Sequence, residues 1–136
     1  PWDRVISNYK YYQKINNYRL NEIPIDFNQW VEWVYGPKKH GFYYARFAKN
    51  FQDYHFWLSM DHQSVEVDFV GKLENVAEDW QTICQRLGTT LELPTLNKSA
   101  GDKASIRHEL FTDRSRQLVA DVHARDIERW GYAFDD

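Results

Sequence analysis

Cysteine is almost absent: Cys84 stands alone, which excludes an intramolecular disulfide and any cysteine-cluster metal site. Long hydrophobic runs are missing too. No apolar stretch approaches the roughly 18–20 residues of a membrane span, and 27% of the residues are charged, so a soluble chain is expected. No charge of one sign dominates. The net charge is -3 and the pI about 6.0, which argues against a sequence-wide surface for nucleic acid or anionic membrane. No basic stretch followed by an apolar one opens the sequence, so no secretory leader is expected. His40, His55, His62, His108 and His123 form no His-x-x-x-His pair, and no metal is expected from their spacing. Internal repeats and low-complexity tracts are also absent.

Aromatic residues are what the chain has in excess, at 17%. All but Phe69, Trp80, Phe111, Trp130, Tyr132 and Phe134 lie before position 61. Such density demands burial or ligand stacking. At 136 residues and 16.4 kDa, one domain over 1–136 with a modest core is expected. Pro1 suits a first helical turn. Trp2, Val5, Ile6, Tyr9 and Tyr12 then form an apolar stripe to about Asn17, opposite Asp3, Ser7, Lys10 and Lys14. A helix that opens with no cap before it reads as a cut inside a longer chain. Asp26 caps a short helix carrying Phe27, Trp30, Trp33 and Val34, ended by Gly36-Pro37. The stretch from Phe42 to Phe51 leans to helix.

Val65 to Val70, reading VEVDFV, is the one expected strand. Asn75 with Glu78 spells a capping box for a helix to Leu87, whose apolar face is Val76, Trp80, Ile83, Cys84 and Leu87. Gly88 occupies the left-handed C-cap. Leu96 to Ile106 reads as a polar loop, and Thr112 caps a last helix to about Trp130, closed by Gly131. A lone strand leaves its backbone groups unsatisfied, so either its sheet partners lie outside this chain, the favoured reading, or the aromatic middle hides strands.

Four segments carry a resemblance. Pro1-Trp2-Asp3-Arg4-Val5-Ile6-Ser7-Asn8-Tyr9 resembles the end of the 3′-phosphate-binding motif of sulfotransferases, in which Pro precedes Ser and the chain runs into a helix. Val67-Asp68-Phe69-Val70-Gly71-Lys72-Leu73-Glu74-Asn75, then Glu78-Asp79, is similar to the strand–helix signature of the carbohydrate-type, Golgi and bacterial, members. Leu93-Pro94 with Leu96-Asn97-Lys98-Ser99 resembles their Leu-Pro-x-Leu-Asn-Lys-Ser loop. Asp126-Ile127 with Trp130-Gly131-Tyr132 and Phe134 resembles their closing motif.

The resemblance implies an α/β chain: the C-terminal part of a P-loop-kinase-like sulfotransferase fold, mostly helical here with one strand. The part that binds the 5′-phosphosulfate would lie upstream, and the chain alone would be inactive. The implied donor is 3′-phosphoadenosine 5′-phosphosulfate (PAPS), with transfer of a sulfuryl group to an acceptor hydroxyl, on a carbohydrate. Carried over residue by residue, Ser7 contacts the 3′-phosphate, and Lys98 and Ser99 contact the nucleotide from their loop. No catalytic base is assigned. The family's aromatic before Glu74 is Leu73 here, which removes a base-stacking group.

Bland readings stand beside these. Ser7 on a solvated helix face, and Lys98 and Ser99 in a solvated loop, need no ligand. Glu74 reads best as an anchor of the strand–helix junction. Asp126 falls in the apolar stripe of Leu118, Val119, Val122 and Trp130, so as a buried carboxylate it needs a hydrogen-bond partner or an arginine. His40 beside Lys38 and Lys39 suits an anionic acceptor and His55 a sugar, with an ordinary surface or packed position as the simpler reading of both. Trp30, Trp33, Tyr43, Tyr44 and Trp57 suit a sugar platform, or more simply the core. Cys84 reads as a small core residue. The rival function is a non-catalytic, aromatic-rich helical module that binds a carbohydrate or a partner protein. The single cysteine fits a bacterial cytoplasmic protein better than a Golgi-lumenal one.

Overall fold

Helix α1, Trp2–Arg19, opens directly after Pro1, whose carbonyl accepts the Val5 N–H at 3.2 Å. Its pattern resolves as the stripe requires: Trp2, Val5, Ile6 and Tyr12 are buried, while Ser7, Lys10 and Lys14 are exposed. This computed structural model describes residues 1–19, 23–38, 51–61, 64–94 and 103–135. Within it the chain divides into two units, Pro1–Val65 with Asp102–Asp136, and Glu66–Gly101.

The larger unit is helical. Asp26 caps α2, Phe27–Tyr35, by accepting the Gln29 N–H at 2.9 Å. A short helix α3 covers Tyr54–Leu58. Lys103–Leu110 forms α5, Asp113–Val122 forms α6 and Ala124–Trp130 forms α7. α2 packs against α6 and α1, α5 against α1, and α3 against α7. The core is built from Trp2, Val5 and Ile6 of α1, Trp30, Val31 and Val34 of α2, Leu118 and Val119 of α6, and Phe134 of the tail, with Ile106, Leu110 and Ile127 packed against it. Its aromatics meet edge to face, Trp30 at 5.8 Å from Phe51 and Phe27 at 4.8 Å from Phe111, the arrangement ring quadrupoles favour. Asn28 ties α2 to the start of α6, accepting from the Ser115 hydroxyl at 2.6 Å and donating to the Leu110 carbonyl at 3.0 Å.

Two expectations about this unit need correction. The loop expected from Leu96 to Ile106 gives way to α5 at Lys103, because Ile106 and Leu110, four residues apart, both pack on the core. The single helix expected from Thr112 to Trp130 is two. Thr112 does cap α6, in a reciprocal box with Ser115, but the helix breaks at His123 (φ -99, ψ 20). Asp126 then stands in the first turn of α7, where a carboxylate favours a new N-terminus. Gly131 closes α7 in the left-handed conformation, as expected.

In the smaller unit, α4 spans Val76–Arg86. The strand expected at Val65–Val70 is not formed: the segment carries no ladder among the described residues. Without a neighbouring strand its backbone has no sheet to join. It packs locally instead, with the Arg86 guanidinium 5.0 Å from the centroid of the Phe69 ring. The capping box at Asn75 is also not made. A 3₁₀ turn, Leu73–Asn75, runs straight into α4 and already uses the Asn75 N–H on the Lys72 carbonyl at 3.1 Å. Gly88 adopts φ +63 while the Thr89 N–H reaches the Cys84 carbonyl at 2.9 Å, the C-cap the sequence spells. The Phe42–Phe51 helix lies outside the described residues apart from Phe51 itself, which is buried.

Candidate functional site

Ser7 stands exposed on the polar side of α1. Asp3 precedes it by four residues and is held by Arg107 of α5, whose Nη1 donates to Asp3 Oδ1 at 2.9 Å. Arg4 lies over the Tyr54 ring at 5.0 Å. The helix is fixed from its other side, where the Tyr9 hydroxyl donates to the Ile25 carbonyl. Burial, joined by the charge of Asp26, raises the Tyr9 pKa, so the phenol remains a donor. Lys98, Ser99, His40, Tyr43 and Tyr44 lie outside the described residues.

A second cluster of chemistry-bearing groups is buried where α3 meets α7. Asp126 is fully buried. Its Oδ2 accepts the Tyr54 N–H at 2.8 Å and meets His123 Nδ1 at 3.1 Å, while Oδ1 meets His55 Nδ1 at 3.0 Å. Burial alone pushes this carboxyl up. The His123 bond, the Tyr54 amide, the His55 bond and the His123 charge outweigh that, and the pKa falls below its ordinary 3.8. Asp53 caps α3 by accepting the Phe56 N–H at 2.9 Å with Oδ1 and takes Arg125 on Oδ2, Nη2 at 2.6 Å and Nε at 3.0 Å. The Trp130 ring lies 5.3 Å from His55.

Asp53, His55 and Asp126 bring donor atoms of metal-ligand type within 4.8 Å of one another. Both oxygens of each carboxylate already face N–H donors or a histidine nitrogen, and Arg125 supplies positive charge at Asp53. The donor set therefore fits a self-satisfied hydrogen-bond network better than a cation site. Its work is to fasten α3 and the α6–α7 junction across a separation of about seventy residues.

The remaining expectations resolve singly. Asp126 is the buried carboxylate foreseen, and its partners are histidines and an amide rather than an arginine. His55 is packed, not open to a sugar. Glu74 is exposed, and the junction after Gly71 is anchored instead by Asp79, whose Oδ2 accepts the Lys72 N–H at 2.6 Å. A Cβ on Gly71 would stand 3.3 Å from Asp79 Cβ, so the bare glycine lets the two segments approach. Trp30 is core, whereas Trp57 is 50% exposed. Cys84 is buried. The histidine partners of Asp126 and the Asp3–Arg107 pair went unseen in the sequence. Only the polar residue in an apolar stripe signalled the first, and nothing local signalled the second.

Known proteins place these residues in context. A family model described as the sulfotransferase family matches residues 1–133. The chain belongs to the sulfotransferase family. An uncharacterized protein of Archaeoglobus fulgidus is 30% identical over 105 residues, covering 75% of this chain and 72% of the relative. No solved structure matches the chain. This sulfotransferase-family chain thus carries Ser7, the Asp3–Arg107 pair and the Asp126 cluster all inside the matched residues. No helix among the described residues is long and apolar enough to cross a membrane.

Proposed function

We propose that this sulfotransferase takes its sulfuryl group from PAPS and transfers it to a carbohydrate hydroxyl. In this reading the chain is the C-terminal part of a P-loop-kinase-like α/β domain, and Ser7 binds the 3′-phosphate. One observation carries it: Ser7, at the motif's serine position, stands exposed on α1 within the family match. An exposed hydroxyl on the polar face is free to donate to a phosphate oxygen, and charge-assisted bonds of that kind are the strong ones. Lys98 and Ser99 add a point charge and a hydroxyl from their loop. The single cysteine favours a cytoplasmic setting.

The acceptor oxygen forms a bond to sulfur as the bond from sulfur to the bridging phosphate oxygen breaks. The acceptor proton passes to a base, and 3′-phosphoadenosine 5′-phosphate (PAP) leaves. Catalysis of this class rests on positioning and on donors aimed at the transferring group. His55 and His123 are buried on Asp126, so neither is offered as the base. The aromatic-module alternative loses ground for the same physical reason: Trp30, Tyr12, Phe27 and Phe51 are packed against one another in the core rather than presented to a sugar.

Calorimetric titration of the chain with PAP and with adenosine 5′-monophosphate (AMP) tests the nucleotide half of this reading. PAP is expected to bind more tightly than AMP, and Ser7→Ala to erase most of that preference with little effect on AMP. Equal affinity of PAP for both chains refutes the Ser7 assignment. Incubation of a protein extended upstream through the 5′-phosphosulfate-binding part with radiolabelled PAPS and a panel of sugars tests the acceptor class, and label on no sugar refutes a carbohydrate acceptor.

A further inference from the structure

Asp3 sits one turn ahead of Ser7. Residues four apart on a helix share a face, with Cβ atoms about 6 Å apart, so Asp3 and Ser7 stand one turn apart on the same face of α1. A bare carboxylate there repels a phosphate dianion. It is the one acidic member of a stripe that otherwise carries Ser7, Lys10 and Lys14.

Arg107 meets that charge. Its Nη1 donates to Asp3 Oδ1 at 2.9 Å, and its side chain is 8% exposed against 35% for Asp3. α5 holds the guanidinium in place, because Ile106 and Leu110 on either side of it pack on the core. Burying an arginine is costly in itself, and a fold that merely needed α5 on α1 could use an apolar residue at this position. The arginine is instead spent on the acid next to Ser7.

Resting on the Ser7 reading, we propose that Arg107 is a positioning residue for that site: by neutralising Asp3 it lets the Ser7 face of α1 accept a doubly charged phosphate. Arg107 acts through Asp3 and does not itself touch the nucleotide. The ligand class it selects for is a nucleotide with a terminal phosphate dianion away from its 5′ end.

Titration with PAP and AMP reads the 3′-phosphate by difference. Arg107→Gln is expected to lower the PAP-over-AMP preference about tenfold while AMP affinity holds, from the Coulomb repulsion of the Asp3 carboxylate. Adding Asp3→Asn to that variant removes the repelling charge and is expected to bring the preference back within about threefold of the unaltered chain, the signature of two coupled residues. Arg107→Lys keeps the charge and most of the preference. Asp3→Asn alone removes the acid, keeps the Arg107 charge and raises the preference. An unchanged preference in Arg107→Gln, or a double variant as weak as the single, overturns the proposal. If Arg107→Gln does not fold, Asp3→Asn decides: a preference that fails to rise overturns it. Absence of any PAP preference in the unaltered chain overturns the Ser7 reading, and this proposal with it. A preference that is present but insensitive to Arg107 and Asp3 overturns the proposal alone.

Discussion

Asp126→Asn is the sharpest perturbation of this fold, because it preserves volume and changes only what the carboxylate accepts. Three groups converge on it, the Tyr54 N–H at 2.8 Å, His55 Nδ1 at 3.0 Å and His123 Nδ1 at 3.1 Å. An asparagine oxygen can serve the Tyr54 and His123 side, but its NH2 then faces His55, donor against donor unless the imidazole changes tautomer. A buried group left unsatisfied costs about 1–3 kcal/mol, and loss of a buried charged partner about 3–5 kcal/mol. The expected loss is about 3 kcal/mol, a large share of the roughly 5–15 kcal/mol that hold a domain folded. Urea unfolding at neutral pH reads it as a lower midpoint at constant slope. The pH dependence has a definite sign. A carboxyl whose folded pKa lies below its ordinary 3.8 adds stability that is fully present above that value and lost as pH falls through the folded one. The gap between the two proteins is therefore full at about pH 5 and shrinks as the solution is taken below about pH 4. A gap under about 1 kcal/mol at neutral pH, or one that does not shrink in acid, refutes this account of the cluster.

Gly36→Ala places a Cβ 2.3 Å from the Glu32 carbonyl oxygen, the same oxygen that accepts the Gly36 N–H at the end of α2. Backbone must shift, and thermal unfolding is expected to show a loss of about 1–3 kcal/mol. Phe134→Ala empties a site where the ring meets Trp2 at 5.4 Å and Phe111 at 5.6 Å. The expected loss is about 3–5 kcal/mol, read by denaturant unfolding, and a change under about 1 kcal/mol shows that the tail is not part of the core.

Helices were legible wherever a local signal named both face and boundary. The α1 stripe, the Asp26 cap, the Thr112 cap and the two left-handed glycines, Gly88 and Gly131, each depend on residues within one or two turns. The errors share a cause as well. VEVDFV alternates as a strand does, yet a strand is a property of a pair, and alternation cannot supply the partner. Asn75 and Glu78 have the spacing of a capping box, but the preceding 3₁₀ turn already occupies the Asn75 N–H that Glu78 would accept. The Thr112–Trp130 pattern is periodic throughout, and the break at His123 answers to Asp126, two of whose three partners, Tyr54 and His55, come from α3 far away in sequence.

The candidate site divides along the same line. The exposure of Ser7 was legible because the helical stripe is local, and the structure leaves it on the polar face of α1. Asp126 was visible as an anomaly, a carboxylate among apolar residues, but its partners at His55 and Tyr54 lie about seventy residues away and no spacing rule reaches that far. Arg107 shows the limit most clearly. In sequence it follows directly on the expected Leu96–Ile106 loop, and nothing near it names a partner. In the fold it is turned to Asp3, 104 residues distant. A charge count treats these two residues as cancelling and therefore silent. Their placement one turn from Ser7 gives the cancellation a location, and an anion site depends on local rather than net charge.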